Sequence, residues 1–349
     1  MTTVAEAFAV QIDWCRRLSS PFTAAVLEWA LADLAAGGPV ADMLGRWPGP
    51  PIKDALALRW AGAMHALVLA GMAPTLARLY PRDDEARAAN TRDLGAALAA
   101  VNREHAAWIG EFLRSAPQTN ETGRAAVLVG GFLEIARLTR LPIRALEIGA
   151  SAGLNTHWDR FRYRLGEAAW GEPSSPVRLA PAWSGPSPAI DAPLVAARRA
   201  ACDLSPIDLA DPASRQRLRA YVWPDQPARL AQLDAAIGLA LAVGTRVEQA
   251  DAADWTERAL AELRPGEATV LYHSIMWHYL PGETQARLRA SIEDAGRRAS
   301  VSAPFFWLQF EVFAAGANPE LRLAAWPGGA TKVLARAHHH GSSVEWLAA

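Results

Sequence analysis

Apolar residues recur every three to four positions through most of the first 135 residues, and that period predicts helices. It runs over Ala5–Leu18 and over Phe22–Ala36, where Gly37-Gly38 stops it. WPGPP at 47–51 reads as a loop, because its prolines cannot sit inside a helix. The pattern resumes over Asp54–Leu79, with a break at Gly71, and again over Asp83–Leu113. No period-two alternation occurs here, so 1–135 is expected to be a helical N-terminal domain or cap. The string QTNETGR at 118–124 interrupts the helices, and Asn120 has the side chain to cap a helix starting near Gly123. The helical period then continues over Ala125–Thr139.

From Ile143 the pattern changes. Short apolar runs over Ile143–Ile148, Leu194–Cys202, Arg246–Gln249 and Thr269–His273 predict strands. Leu154–Tyr163, Pro227–Ala242 and Gln285–Ser300 between and after them read as helices. Gly166–Pro188 is rich in Gly, Pro, Ser and Trp and predicts a loop with room for a short hairpin. Phe305–Val312, Leu321–Ala325 and Lys332–Ala337 are strands with short connections, which favours antiparallel pairing. Strand and helix alternate, so an α/β domain over 136–349, its sheet covered by helices, is expected.

Composition adds limits. The 349 residues are 51% hydrophobic and 20% charged, enough for a packed core and unlike a disordered chain. A net charge of −1 gives no sign of a nucleic-acid or anionic-membrane surface, so a small-molecule substrate is the expected partner. Cys15 and Cys202 cannot make a disulfide framework, which fits a reducing compartment. The start has no basic segment followed by a sustained apolar run, and no stretch is long enough to span a bilayer. The cytoplasm is therefore expected. Oligomeric state is left open.

The candidate chemistry centres on RALEIGASAGLNTHWDRF, residues 144–161. Glu147 ends the first strand, Gly149 lets the backbone turn without a Cβ, and Gly153 permits close approach of backbone or ligand. The N–H groups of a following helix would point at that ligand. Asp203, after the second strand, can hold a ribose diol, and Asp251, after the third, an adenine amino group; ligands of open α/β sheets bind at such strand ends. The plainer reading of the glycines is a tight strand–helix turn, and of the two aspartates, helix caps. Gly149-Ala150-Ser151-Ala152-Gly153 also spells a G-x-S-x-G nucleophile elbow, with Asp254 and His340 following in chain order. Glu147 would put negative charge beside such an oxyanion, and no strands precede the motif as they do in hydrolases.

IRALEIGASAGLN resembles the first motif of class I S-adenosylmethionine-dependent methyltransferases, except that Ser151 stands at the middle glycine. That resemblance implies a Rossmann-like methyltransferase-type sheet with S-adenosylmethionine as cofactor. Glu147 and Gly149 would then face its methionine part, with Ser151 and Gly153 in the same loop, Asp203 on the ribose and Asp251 on the adenine. A resemblance spanning nearly the whole chain rests on Gln118-Thr119-Asn120-Glu121 with Arg124, EIGASAGLN with Trp158-Asp159-Arg160, and Asp203-Leu204-Ser205-Pro206. It also rests on Val222-Trp223-Pro224-Asp225-Gln226 with Arg229, Tyr272-His273-Ser274, and His340-Gly341 with Trp346-Leu347. These strings resemble DUF2332, a bacterial family of unknown function, which implies a shared fold and no established reaction.

Other residues have both a structural and a functional reading. Trp158 and Arg160 either pack and pair or line a substrate mouth. Asp225 is expected to cap the following helix, and Arg229 could receive an anionic substrate group. Tyr272 falls at the end of the fourth strand, and His273 there is the candidate base, since imidazole titrates near neutrality. His338-His339-His340 does not predict a metal, because consecutive histidines do not converge easily on one ion and no second ligand motif accompanies them. Three classes remain: a methyltransferase acting on a small molecule, a non-catalytic binding or scaffold protein of the same fold, and an acyl hydrolase using Ser151.

Overall fold

The computed structural model describes residues 2–81, 91–314 and 316–348. The chain divides into two compact units, one made of 1–119 with 210–231, the other of 120–209 with 232–349. Residues 120–135 therefore group with the sheet rather than with the helices before them, and 210–231 group with the helical unit.

The helical unit starts with α1 (Val4–Arg17), α2 (Pro21–Ala36), α3 (Pro39–Leu44), α4 (Leu56–Leu69), α5 (Pro74–Ala77), α6 (Thr91–Glu104) and α7 (Ala106–Leu113). Thr3 opens α1 with a reciprocal capping box to Glu6, and α2 begins on Pro21 and ends at a left-handed Gly37. α4 is central: Trp60, Met64 and Leu67 are fully buried among Phe8, Leu27, Leu98 and Ile109. The helix expected over Asp83–Leu113 falls partly on 82–90, outside the described residues, and from Thr91 onward it is two helices.

The second unit carries α8 (Ala125–Thr139), β1 (Ile143–Ile148), β2 (Arg162–Leu165), β3 (Ala168–Gly171), β4 (Arg178–Leu179), β5 (Ala182–Ser184) and β6 (Ala196–Asp203). α9 (Pro212–Ala220) belongs to the helical unit, and α10 (Pro227–Val243) crosses the boundary between the two. Then come β7 (Glu248–Gln249), α11 (Ala252–Ala259), β8 (Ala268–Ser274), α12 (Gly282–Arg298), β9 (Phe305–Glu311), β10 (Glu320–Trp326), β11 (Ala330–Ala337) and β12 (Ser343–Trp346). The nine-stranded sheet has the order β5-β12-β11-β10-β9-β8-β1-β6-β7. Pairing is parallel from β7 to β9 and antiparallel from β9 to β12, and β5 joins β12 in parallel. The fold is thus mixed α/β, with a large, mostly parallel central sheet and an N-terminal helical region.

Two local expectations change. Leu154–Tyr163 is not an α-helix: Leu154–Arg160 forms 3-10 turns kinked at His157, and Arg162 already starts β2. The stretch after it holds more than a hairpin, because β2, β3 and β4 form a small second sheet and β5 joins the large one.

Strand alternation fixes which side chains share a face. Leu146, Ile148, Leu271, Phe305 and Trp307 pack with Trp255 of α11 and with Leu288 and Ile292 of α12. The residues between them point the other way: Phe132 of α8 meets the Tyr272 ring edge-on at 5.1 Å. Helices therefore cover both faces of β1, β8 and β9, which explains why these strands are almost continuously apolar. Among the described residues no helix is long and apolar enough to cross a membrane.

Candidate functional site

The parallel part of the sheet reverses direction of winding between β1 and β8, since β6 and β7 lie on one side of β1 and β8 and β9 on the other. Crevices form at the carboxyl ends of strands at such a point. The loop leaving β1 there contains Gly149 (φ +66°), Ser151 (φ +55°) and Gly153 (φ +73°), so three residues in five adopt the left-handed region. A Cβ on Gly149 would lie 2.8 Å from the Met276 side chain, and one on Gly153 would lie 2.7 Å from Val247. A side chain at either position would strain the left-handed backbone and force its neighbour to shift.

Asp203 ends β6 with its carboxylate over this loop. One oxygen accepts the Ser151 N–H at 2.8 Å and the other the Ser205 N–H at 2.9 Å. A carboxylate offers about four acceptor positions, so each oxygen keeps one. Asp251 caps α11, and its Oδ1 accepts from Ala253 N–H at 2.9 Å and Asp254 N–H at 3.2 Å. Asp251 thus caps its helix as expected, whereas Asp203 caps none, since the next helix starts at Pro212 with Asp211 as its cap; both aspartates stand at adjacent strand ends.

Glu147 is buried on the α8 face, where Tyr272 donates its hydroxyl to the carboxylate at 3.0 Å. Burial pushes the Glu147 carboxyl up to about 8, and the charge of Asp203 adds to the rise while the Tyr272 hydrogen bond opposes it. Cys202, behind the same loop, is pushed up to about 12 by burial and by Asp203, so its thiol stays protonated and unreactive.

His273 lies on the opposite face from Glu147. It is fully buried, with Nδ1 2.8 Å from Glu311 Oε1, and Nε2 accepts from the Trp307 indole at 3.1 Å. With Nε2 accepting from Trp307, Nδ1 is the nitrogen that donates to Glu311. Both nitrogens are engaged, so the position offers no lone pair to a methyl acceptor. The expectation of an accessible base is corrected here: β8 pairs Tyr272 opposite Glu147, which turns His273 toward α11 and α12. Glu311 also accepts the Met276 and Trp277 N–H groups, at 2.9 and 3.2 Å, and so shapes the loop after β8. In that loop Ile275 sits at φ +50°, a strained conformation for a β-branched residue.

A third loop joins them. Asn120 Oδ1 accepts the Leu154 N–H at 2.9 Å and thereby caps the 3-10 turn after Gly153, not the helix near Gly123. Asn155 Nδ2 donates to Glu121 O at 3.1 Å. Arg124 donates from Nε to His339 O and from Nη1 to Ser274 O, both at 3.0 Å. Three buried side-chain oxygens on these loops, Thr122 Oγ1, Ser151 Oγ and Asn155 Oδ1, have no hydrogen-bond partner.

A family model described as an uncharacterised protein conserved in bacteria, DUF2332, matches residues 5–346. The chain belongs to this family. Comparison with curated proteins and with solved structures gives no match. In this DUF2332 chain the motif strings of the second unit meet at one sheet edge: 118–124 in its described contacts from Asn120, the loop after β1, Asp203-Leu204-Ser205, the end of β8, and the His340-Gly341 turn.

The remaining string, 222–229, belongs to the helical unit. Asp225 does not cap its own helix. It accepts from Ser20 Oγ at 2.5 Å and from Phe22 N–H at 2.9 Å, at the start of α2. Arg229 bonds Gln226 and lies 5.9 Å over the Trp223 ring, within the helical unit. Trp158 is fully buried and stacked on Phe132 at 3.9 Å, in the core rather than at a mouth. Arg160 is exposed, and the neighbouring Asp159 pairs with Arg199 at 2.8 Å. Tyr272 is buried and serves Glu147. The elbow reading finds no assembled triad: Ser151 Oγ has no partner, and Asp254 pairs with Arg287 on the exposed side of α11. Among the described residues no three His, Cys, Asp or Glu side chains converge as a metal site.

Met276 and Glu311 are the residues missed by sequence reasoning, which shows Asn120 and Arg124 only as a helix cap and as part of a motif string. Of the two missed, only Glu311 had a signal, as an acid closing the mostly apolar run FFWLQFE.

Proposed function

We propose that the sheet edge around Gly149 binds an adenosyl ligand and that the protein is an S-adenosylmethionine-dependent methyltransferase acting on a small molecule. One observation carries the reading. Glu147, Asp203 and Asp251 stand at the ends of three adjacent parallel strands, β1, β6 and β7, beside a loop whose glycines are left-handed and closely packed by Met276 and Val247. In chain order the parallel strands run third, second, first, fourth, fifth, the order of doubly wound nucleotide-binding sheets.

The residues present fit such a ligand. Asp203 keeps an acceptor position on each oxygen for a ribose diol, and Asp251 has its cap bonds on Oδ1. Ser151 Oγ and Asn155 Oδ1 are buried polar atoms awaiting partners, a costly state that a ligand or water relieves. Met276 packs where the loop would meet the ligand, and an unbranched thioether can rearrange at low cost. When bound, the group supplies a sulfonium methyl for displacement. Glu147, neutral near pH 7, can ionise beside a positively charged ligand and release its proton.

The binding-or-scaffold alternative shares this pocket, and the burial of His273, the candidate base, with both ring nitrogens engaged gives it support. Calorimetric titration with S-adenosylmethionine and S-adenosylhomocysteine, with NAD as control, tests the reading. Adenosyl-specific binding is expected, weakened at least about tenfold in Asp203→Asn, the loss expected for one charged hydrogen bond. Absence of heat with both adenosyl ligands overturns it.

A further inference from the structure

We propose that Arg59, Arg217 and Tyr221 of the helical unit form a receptor for one small oxyanion, a carboxylate or phosphate group, at the end of α7. Three helices bring these side chains together. The last carbonyls of a helix have no partner within it, and both arginines reach those of α7. Arg59, on α4, donates from Nη1 to Leu113 O at 2.8 Å and to Arg114 O at 3.4 Å. Arg217, on α9, donates from Nη2 to Phe112 O, and its guanidinium lies 4.0 Å from the centre of the Phe112 ring. The two cations are thus bound to successive carbonyls of one short segment. Tyr221 follows Arg217 by four residues, on the same face of α9. Its ring lies 5.9 Å from that of Phe112. The same ring meets α4, because a Cβ on Gly62, three residues after Arg59, would lie 2.6 Å from it.

Capping α7 does not use up these donors. Arg59 is only 9% exposed, and its Nε donates to a further carbonyl, Asp54 O, at 2.6 Å. Arg217 Nε and the Tyr221 hydroxyl are buried without a hydrogen-bond partner. Among the described residues neither arginine forms an ion pair with a carboxylate; Glu111 pairs with Arg114, and Asp54 Oδ2 accepts from the Trp47 indole. The negative end of a helix is equivalent to about half a charge, set here against two full cations. A buried charge without a counter-charge is costly, and a small anion between the two guanidiniums removes that cost.

The unspent groups also choose the ligand. Burial raises the Tyr221 phenol, against the charges of Arg217 and Arg59, so its hydroxyl keeps its proton and can donate. Guanidinium N–H groups only donate. Donors converging from three sides reject a cation and suit an oxyanion, whose geometry the planar fork matches. No residue of the adenosyl loop takes part, and the receptor does not depend on that reading.

The arginine Nε–H resonances of the isotope-labelled full chain test this by NMR. Arg217→Lys removes, and so assigns, the Arg217 signal. Acetate or inorganic phosphate is then added at fixed pH and constant ionic strength, balanced with chloride. The Arg217 resonance is expected to move to saturation, while that of Arg16, in an exposed pair with Glu28, stays in place. Saturation with phosphate alone marks a phosphate site, with acetate alone a carboxylate site, and with both a general oxyanion receptor. Tyr221→Phe is expected to weaken the affinity about tenfold, the loss for one hydrogen bond to a charged group. Without added anion the same variant should unfold no more easily than the wild type, because the hydroxyl it lacks had no partner. The proposal is overturned if neither anion moves the Arg217 resonance, if Arg16 moves equally, or if Tyr221→Phe binds as tightly as the wild type.

Discussion

Glu147 and His157 lie in the same unit and link its stability to pH with opposite signs. Glu147 keeps its proton to about pH 8 when folded, against a usual value of 4.5, so the unfolded chain ionises first and stability falls as pH rises between those values. His157 is lowered to about 4 from 6.5, chiefly by burial and then by Arg199, and binds Thr245 through Nε2 at 2.5 Å. Its contribution is complete above pH 6.5 and is lost as pH falls toward 4. Above pH 6.5 the histidine is neutral in both states and Glu147 governs. Urea unfolding of the sheet unit should therefore show stability falling by about 2 kcal/mol at most between pH 6.5 and 8. Glu147→Gln should flatten that decline, and parallel curves for the two proteins would contradict the assignment. Sequence placed Glu147 and His273 at neighbouring strand ends, but not on opposite faces. Which residue of β8 stands opposite Glu147 depends on register, and nothing in either strand's own pattern fixes it.

The loops at the sheet edge owe their shape to contacts far apart in the chain. Asn120 reaches Leu154, and Arg124 reaches His339. The sequence showed a strand, a glycine turn and a helical period, and two of those three are present. The third became 3-10 turns because the cap comes from a residue 34 positions earlier, and β2 takes up the chain at Arg162. The crossing of the 121–124 loop with the His340-Gly341 turn gives an element-scale prediction. Gly341→Ala should cost about 2–4 kcal/mol, from a left-handed backbone and a Cβ that would fall 2.2 Å from Gly123 O together. Gly244→Ala has a similar φ of +70° and nothing within 4 Å, and should cost about 1–2 kcal/mol. Thermal or urea unfolding of both variants checks this; equal losses would show that the backbone contact carries no weight.

At the scale of the molecule, helical and sheet regions were legible because their apolar periods differ. The boundary was not legible, because α10 (Pro227–Val243) is one helix that runs from one unit into the other, and only tertiary contact assigns 210–231 to the first unit. Asp225 is the clearest of those contacts. Asp225→Ala removes hydrogen bonds from Ser20 and Phe22 to a charged acceptor and should destabilise the helical unit by about 2–3 kcal/mol. Unfolding followed by tryptophan fluorescence reads that loss, and a change near zero would mean the contact does not hold α2. The central claim concerns where an adenosyl ligand binds. Hydrogen–deuterium exchange with and without S-adenosylhomocysteine tests it most directly. Slowed exchange of backbone amides in 149–155, 203–207 and 275–279 is the predicted result; an unchanged pattern, or protection confined to the helical unit, would contradict it.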